Sequence, residues 1–263
     1  MKNYLISYLL AAIIISFCLS GCLFGEKTAE ISLRERVKLP DRIAERSAAI
    51  NIGVGSMLTP DEGFTYYKEL LDYIGRKLGR EVRFIDKKSY QEVNTLLKDG
   101  KIDVAFVCGG PYVDGHKYFD LELLAAPQVK GNTVYYSYII VRKDSPINRF
   151  NDLRGKSFAF ADPLSNTGRI APVYRLAEMG EKPETFFREY VYSYDHDKSI
   201  KAVSLGIVDG AAVDSLIWDY LRERGASYTA NTKIIETLGP YGIPPVVVRP
   251  GLGKELKNKI RDI

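Results

Sequence analysis

An α/β fold of two similar lobes is predicted for this chain, and three features of the sequence predict it. From residue 50 onward, short β-rich runs alternate with segments of helical periodicity, the order that produces largely parallel sheets flanked by helices. A weak internal repeat relates two parts of the chain. Residues 89–109 read helix, Gly100, then Lys101-Ile102-Asp103-Val104-Ala105-Phe106-Val107, and residues 199–215 read helix, Gly206, then Ile207-Val208-Asp209-Gly210-Ala211-Ala212-Val213. Each copy ends in a polar or glycine-rich loop, which sets two such loops at strand carboxyl ends, where open α/β sheets bind ligands.

The amino terminus addresses the protein to export. Lys2 precedes a mostly apolar run over residues 4–17, too short for a membrane span and suited to the core of a signal peptide. The run ends in Leu19-Ser20-Gly21-Cys22, which looks like a bacterial lipobox, with cleavage before Cys22 and a diacylglyceryl group on its sulfur. Cys18 would leave with the signal, so Cys108 alone remains in the folded part and no intramolecular disulfide is expected. Cys108 ends the run Val104-Ala105-Phe106-Val107 and reads as a small core residue. Removing residues 1–21 lowers the net charge from +4 to +3, too small an excess for a nucleic-acid surface. Residues 26–48 are charged and poor in aromatics, as a tether is, and the remainder has enough apolar residues for a substantial core.

Along the folded part, residues 50–54 form a first strand, 55–60 a loop, and 64–78 an amphipathic helix. A strand at 82–86, a helix at 90–98 and a strand at 103–107 follow, the last running into Gly109-Gly110-Pro111-Tyr112. Residues 136–142 alternate as a crossover strand and 245–249 as the return crossover, which together make a hinge. The resulting division is a signal peptide at 1–21, a tether at 22–48, a first lobe of 49–138 plus 242–263, and a second lobe of 139–241 with the crossover segments.

The most informative segment is Phe158 to Arg169, a buried strand running into Asp162-Pro163-Leu164-Ser165-Asn166-Thr167-Gly168, where a helix opens. The first N–H groups of a helix lack intrahelical partners and carry partial positive charge, so they hold an oxyanion without a buried lysine. Ser165 and Thr167 add hydroxyl donors, and Gly168 lets a ligand approach the backbone. An ordinary helix cap is the plainer reading of the same residues. Tyr112 either covers the organic part of a ligand or packs beneath its own loop. Asp214 either accepts a proton-bearing ligand group or caps the helix that begins near Ser215. His196, one of two histidines, is the stronger candidate, while His116 lies in a polar stretch and reads as solvated.

Taken in order, these markers resemble the periplasmic phosphate, phosphite and phosphonate binding proteins that deliver ligand to ABC importers. They are Gly110-Pro111-Tyr112, the stretch from Tyr136 to Ser145, Asp152-Leu153-Arg154-Gly155-Lys156, Asp162 through Gly168, and His196-Asp197. The resemblance spans residues 50–263 and implies a two-lobed type II periplasmic-binding-protein fold, joined by two crossover strands, that closes on a small phosphorus oxyanion. It places oxyanion contacts on Ser165, Asn166, Thr167 and His196. It implies an ABC permease and, through Cys22, a membrane as partners, with the protein a monomer outside the cytoplasm. Asn166 stands where the family commonly has a hydroxyl residue, and Tyr194-Asp195 where small residues precede its His-Asp pair. A sensor ectodomain of the same fold is the alternative role.

An enzyme is the rival class. Ser165, His196 and Asp214 can be imagined as a hydrolytic triad, yet no Gly-x-Ser-x-Gly elbow occurs. Gly155-Lys156-Ser157 lacks the first glycine of a phosphate loop, since Phe150 stands there. No His/Cys cluster has metal-ligand spacing, and no cofactor is expected.

Overall fold

The computed structural model describes residues 49–55 and 60–263, with the backbone only for 60–66. The signal peptide, Cys22 and the tether lie outside the described residues, as does most of the loop expected at 55–60.

The chain runs β1 (Ile50–Val54), α1 (Pro60–Leu78), β2 (Val82–Asp86), α2 (Tyr90–Lys98), β3 (Val104–Phe106), α3 (Gly109–Phe119) and β4 (Glu122–Ala125). After β5 (Val134–Arg142) come β6 (Ser157–Phe160), a π-helical turn (Asn166–Ile170) continuing into α4 (Ala171–Glu178), α5 (Pro183–Phe186), β7 (Glu189–Tyr192) and α6 (His196–Ser204). The final stretch is β8 (Gly210–Asp214), α7 (Ser215–Glu223), α8 (Ser227–Ala230), β9 (Thr232–Gly242), β10 (Val246–Val248) and α9 (Lys254–Arg261).

Two five-stranded sheets result, ordered β2-β1-β3-β10-β4 and β7-β6-β8-β5-β9. In each, four strands run the same way and one runs against them, β10 in the first sheet and β5 in the second. Each sheet is therefore largely parallel, as expected, and made mixed by a single opposing strand. The reason lies in the two segments read as crossovers. Residues 136–142 belong to β5, which pairs with β8 and β9 inside the second sheet, and residues 246–248 form β10, inserted between β3 and β4 of the first. The chain passes between the sheets just before β5 and just after β9. Alternation alone identifies a strand, and it does not say which sheet receives it.

Both faces of each sheet are buried, as βα units require. In the first sheet, Ile50, Ile52, Val104 and Val248 pack on one face, and Ala105, Val107 and Val247 on the other. In the second, Ile139, Val141, Phe158, Phe160 and Ala212 face one core, and Ile140, Ala159, Ala211 and Val213 the other. The period-2 alternation is what sorts neighbouring residues to opposite cores.

The sheets' loops meet directly. The α2 backbone N–H of Tyr90 donates to Asp162 Oδ2 at 3.1 Å, and the N–H of Asn166 donates to Cys108 Sγ at 3.4 Å. A Cβ on Gly110 would sit 2.0 Å from the carbonyl oxygen of Leu164, so only glycine permits this approach.

Candidate functional site

Ser165 caps the helical turn that follows β6. Its Oγ accepts from the N–H of Gly168 at 3.0 Å, and its carbonyl accepts from Arg169 and Ile170 at 3.1 and 2.9 Å. The shared carbonyl and the bond from the Ala171 N–H to the Asn166 carbonyl make the first turn π-helical rather than α-helical. Such widened turns recur at functional sites. Thr167 follows, fully buried, its carbonyl held by Ser137 Oγ at 2.6 Å and its own hydroxyl without a hydrogen-bond partner. Asn166 ties the turn to its neighbours. Its side-chain amide donates to Tyr135 Oη at 3.2 Å, and its backbone N–H meets Cys108. Gly168 leaves room for His196, whose Cε1 would lie 3.0 Å from an added Cβ.

His196 opens α6 and is fully buried. Its Nδ1 accepts from the backbone N–H of Asp214 at 3.1 Å, which fixes the tautomer: the ring proton is on Nε2, and Nε2 has no partner. Burial depresses its pKa to about 4, partly opposed by Asp195, so the ring is neutral at pH 7. Asp214 makes the helix cap read from the sequence with one oxygen only. Its Oδ1 caps α7 by accepting from Leu216 N–H at 2.8 Å, while Oδ2 is buried and unpartnered. Burial raises this carboxyl to about 7, against the lowering effect of the bonds it accepts from Leu216 and Ile217.

Tyr90 and Tyr135 do not stand out in the sequence. Tyr90, the first residue of α2, buries an unpartnered hydroxyl, and one helical turn later Asn94 carries an unpartnered Oδ1. Tyr135 is buried in β5, within reach of both Cys108 Sγ, at 3.4 Å, and Asn166. Desolvation, with the nearby Cys108 and Asp214 among the further causes, pushes both phenols well above their usual pKa, so both stay protonated donors. The thiol of Cys108 is likewise pushed up by burial, and the residue does more than fill space, since it links α3 to β5 and to the turn at Asn166.

The structure thus brings Ser165, Thr167, Gly168, His196 and Asp214 together, with Asn166 tied to their edge. Tyr112 goes elsewhere: it packs with the core beside Val93 and Leu97 and stacks on His116, ring centroids 5.8 Å apart. His116 is exposed. Unpartnered buried polar atoms are rare because each costs about 1–3 kcal/mol. Here Tyr90, Thr167 and His196 offer three donors beside one carboxyl oxygen of Asp214, a set matched to a tetrahedral oxyanion that shares a proton with a carboxylate. A triad is not formed, because His196 receives its bond from the backbone of Asp214 and gives none to its carboxylate. Among the described residues, no group of three or more His, Cys, Asp or Glu is disposed to hold a metal ion, and no helix is long and apolar enough to cross a membrane.

Residues 52–263 match the family described as ABC transporter, phosphonate, periplasmic substrate-binding protein. The chain is 25% identical over 228 residues to the phosphonates-binding periplasmic protein of Escherichia coli (strain K12), covering 85% of this chain and 67% of that protein. It is also 25% identical over 209 residues to the phosphate-import protein PhnD of Mycolicibacterium smegmatis, covering 74% of this chain and 64% of that one. Two solved structures share the fold. A binding-protein component of an ABC phosphonate transporter from Pseudomonas aeruginosa superimposes with TM-score 0.79 at 23% identity, covering 82% of this chain and 74% of its own. PhnD1 from Prochlorococcus marinus in complex with methylphosphonate gives 0.74 at 19% identity, covering 81% and 82%.

Proposed function

This chain belongs to the family of ABC-transporter phosphonate periplasmic substrate-binding proteins, and from that premise we propose that it is a lipid-anchored extracytoplasmic protein that captures one phosphorus oxyanion between its lobes and delivers it to an importer's permease. The observation that carries the ligand class is the cluster of buried, unpartnered polar atoms on Tyr90, Thr167, His196 and Asp214. They come from helix starts or turns, where backbone dipoles add to their attraction for an anion. Ser165 and Gly168 shape the turn that presents Thr167, and Asn166 locks its edge. Asp214, neutral or charged near pH 7, donates to an oxyanion oxygen in one form and accepts from a P–OH in the other. In its charged form the carboxylate thereby favours a phosphorus oxyanion that carries a proton over sulfate, which has none to donate.

The two lobes, divided where the chain passes between the sheets, residues 49–133 with 243–263 and residues 134–242, close on the ligand as a monomer. Tyr112 supports the loop at Gly109-Gly110 from beneath. The anchor is the diacylated Cys22, tested by mass spectrometry of the mature protein from its host: a lipid-modified amino terminus at Cys22 is expected, and a soluble form cut elsewhere contradicts it. For the ligand, calorimetric titration with phosphate, phosphite, methylphosphonate and sulfate is expected to give a 1:1 complex with at least one phosphorus oxyanion at micromolar Kd or tighter, about −8 kcal/mol. Heat with none of the phosphorus ligands contradicts the reading.

A further inference from the structure

Asp214 and Tyr135 also form part of the wall of a cavity of about 580 Å³. That volume lies in the range that takes an organic small molecule, and it exceeds what an inorganic phosphorus oxyanion occupies. It exists while the lobes are in contact through Tyr90 and Asp162, and through Asn166 and Cys108, so it is not simply the gap of an open cleft. Its lining is mainly apolar and aromatic. Tyr67 and Phe106, with ring centroids 5.0 Å apart, come from α1 and β3, while Tyr136, Leu216 and Tyr220 come from β5 and α7. The charges on it are unbalanced toward acid. Lys130 is ion-paired with Glu223, and Asp219 accepts from Tyr138 Oη at 3.3 Å, so the wall's one lysine is engaged while Asp214 and Asp219 add two further carboxyl groups.

We infer that this cavity is a subsite for the organic substituent on phosphorus, and that the preferred ligand is a phosphonate bearing a ring-sized apolar group without negative charge. This rests on the reading that the phosphoryl head lies against Asp214. From there the substituent has a continuous aromatic wall to cover, which an aryl group meets with favourable stacked or edge-on contacts. A second carboxylate at the far end of the substituent would instead face Asp219 and Glu223, a like-charge placement that the site disfavours.

The test is calorimetric titration of the protein with methylphosphonate, benzylphosphonate and 4-carboxybenzylphosphonate. Benzylphosphonate is expected to bind about tenfold tighter than methylphosphonate, the ratio that about 55 Å² of additional buried apolar surface gives. The carboxylated analogue is expected to lose that gain. Leu216→Trp, which fills the cavity, and Tyr136→Ala, which removes part of its wall, are each expected to abolish the preference while methylphosphonate affinity stays within about twofold. Methylphosphonate binding with benzylphosphonate equal or weaker in the wild type overturns the subsite and leaves the phosphorus-oxyanion reading intact. A preference that survives both substitutions also overturns it. No binding of any of the three removes the head site, and the subsite with it.

Discussion

The two copies of the internal repeat have the same backbone plan and opposite uses of it. In the first, α2 ends at Gly100 with φ +69°, β3 follows, and α3 starts after Cys108. In the second, α6 ends at Gly206 with φ +71°, β8 follows, and α7 starts after Asp214. The first helix of each copy opens with a buried residue carrying an unpartnered polar atom, Tyr90 in one and His196 in the other. The caps diverge. Cys108 makes no side-chain cap and is followed by two glycines, so its loop can touch Leu164 across the cleft. Asp214 caps with one oxygen and leaves the other buried without a partner. One copy is specialised for approach and the other for charge, on the same scaffold.

Breaking the approach is expected to have the largest effect. Gly110→Ala puts a methyl against a backbone oxygen that cannot rotate away, so the lobes cannot meet. Methylphosphonate affinity should fall on the order of 100-fold, about 2.7 kcal/mol, and small-angle scattering should show no decrease in radius of gyration with ligand, whereas closure of the wild type is expected to give one. A variant that binds and compacts normally refutes the role given to this loop.

The paired helix starts come next. His196→Ala and Tyr90→Phe should each weaken binding by about 1.5–3 kcal/mol, the worth of a hydrogen bond to a charged group. Their effects on the ligand-free protein differ. Tyr90→Phe removes an unpartnered hydroxyl and should hold or raise the melting temperature, whereas His196→Ala opens a cavity and removes the acceptor for the Asp214 N–H, so it should lower it. Unchanged affinity in either variant takes that residue out of the site. His116→Ala, away from this cluster, should leave affinity unchanged.

A smaller effect sharpens the second copy. Between pH 4 and 6.5 the folded state keeps His196 neutral while the unfolded state protonates it, so this group's stabilisation is lost as pH falls toward 4. Asp214, whose folded pKa is about 7, holds a proton that the unfolded chain has released, so its contribution is lost as pH rises from about 4 to 7. Between pH 4.5 and 6.5 the two slopes oppose. Relative to wild type, stability of His196→Gln should therefore fall with rising pH and that of Asp214→Asn should climb, each by up to ~1.4 kcal/mol per pH unit. Urea denaturation across that range measures both, and parallel profiles for all three proteins refute the assignment.

Much of this is legible in the chain. Strands β1 and β2 and helix α2 fall where periodicity puts them, because each has a clean apolar pattern and, for α2, a serine cap whose Oγ accepts from Glu92 N–H at 3.2 Å. The repeat locates Asp214 and both positive-φ glycines. It also holds a signal that pattern reading passes over, in Tyr90, which occupies in copy one the place of His196 in copy two. Tyr135 escapes notice because a tyrosine at a strand start looks like any core aromatic until the fold sets it beside Cys108 and Asn166. The sheet membership of β5 and β10 is not legible either, since pairing partners more than sixty residues apart leave no local trace.

The central claim is that the buried Nε2–H of His196 donates to a phosphorus oxyanion. With only two histidines in the chain, ¹⁵N-histidine NMR reads it without crowding. His196 should show Nε2 protonated and Nδ1 bare at neutral pH, and adding methylphosphonate should move its Nε2–H proton downfield while His116 stays in place. A His196 signal unmoved at saturating methylphosphonate, with binding seen by calorimetry, would contradict the account.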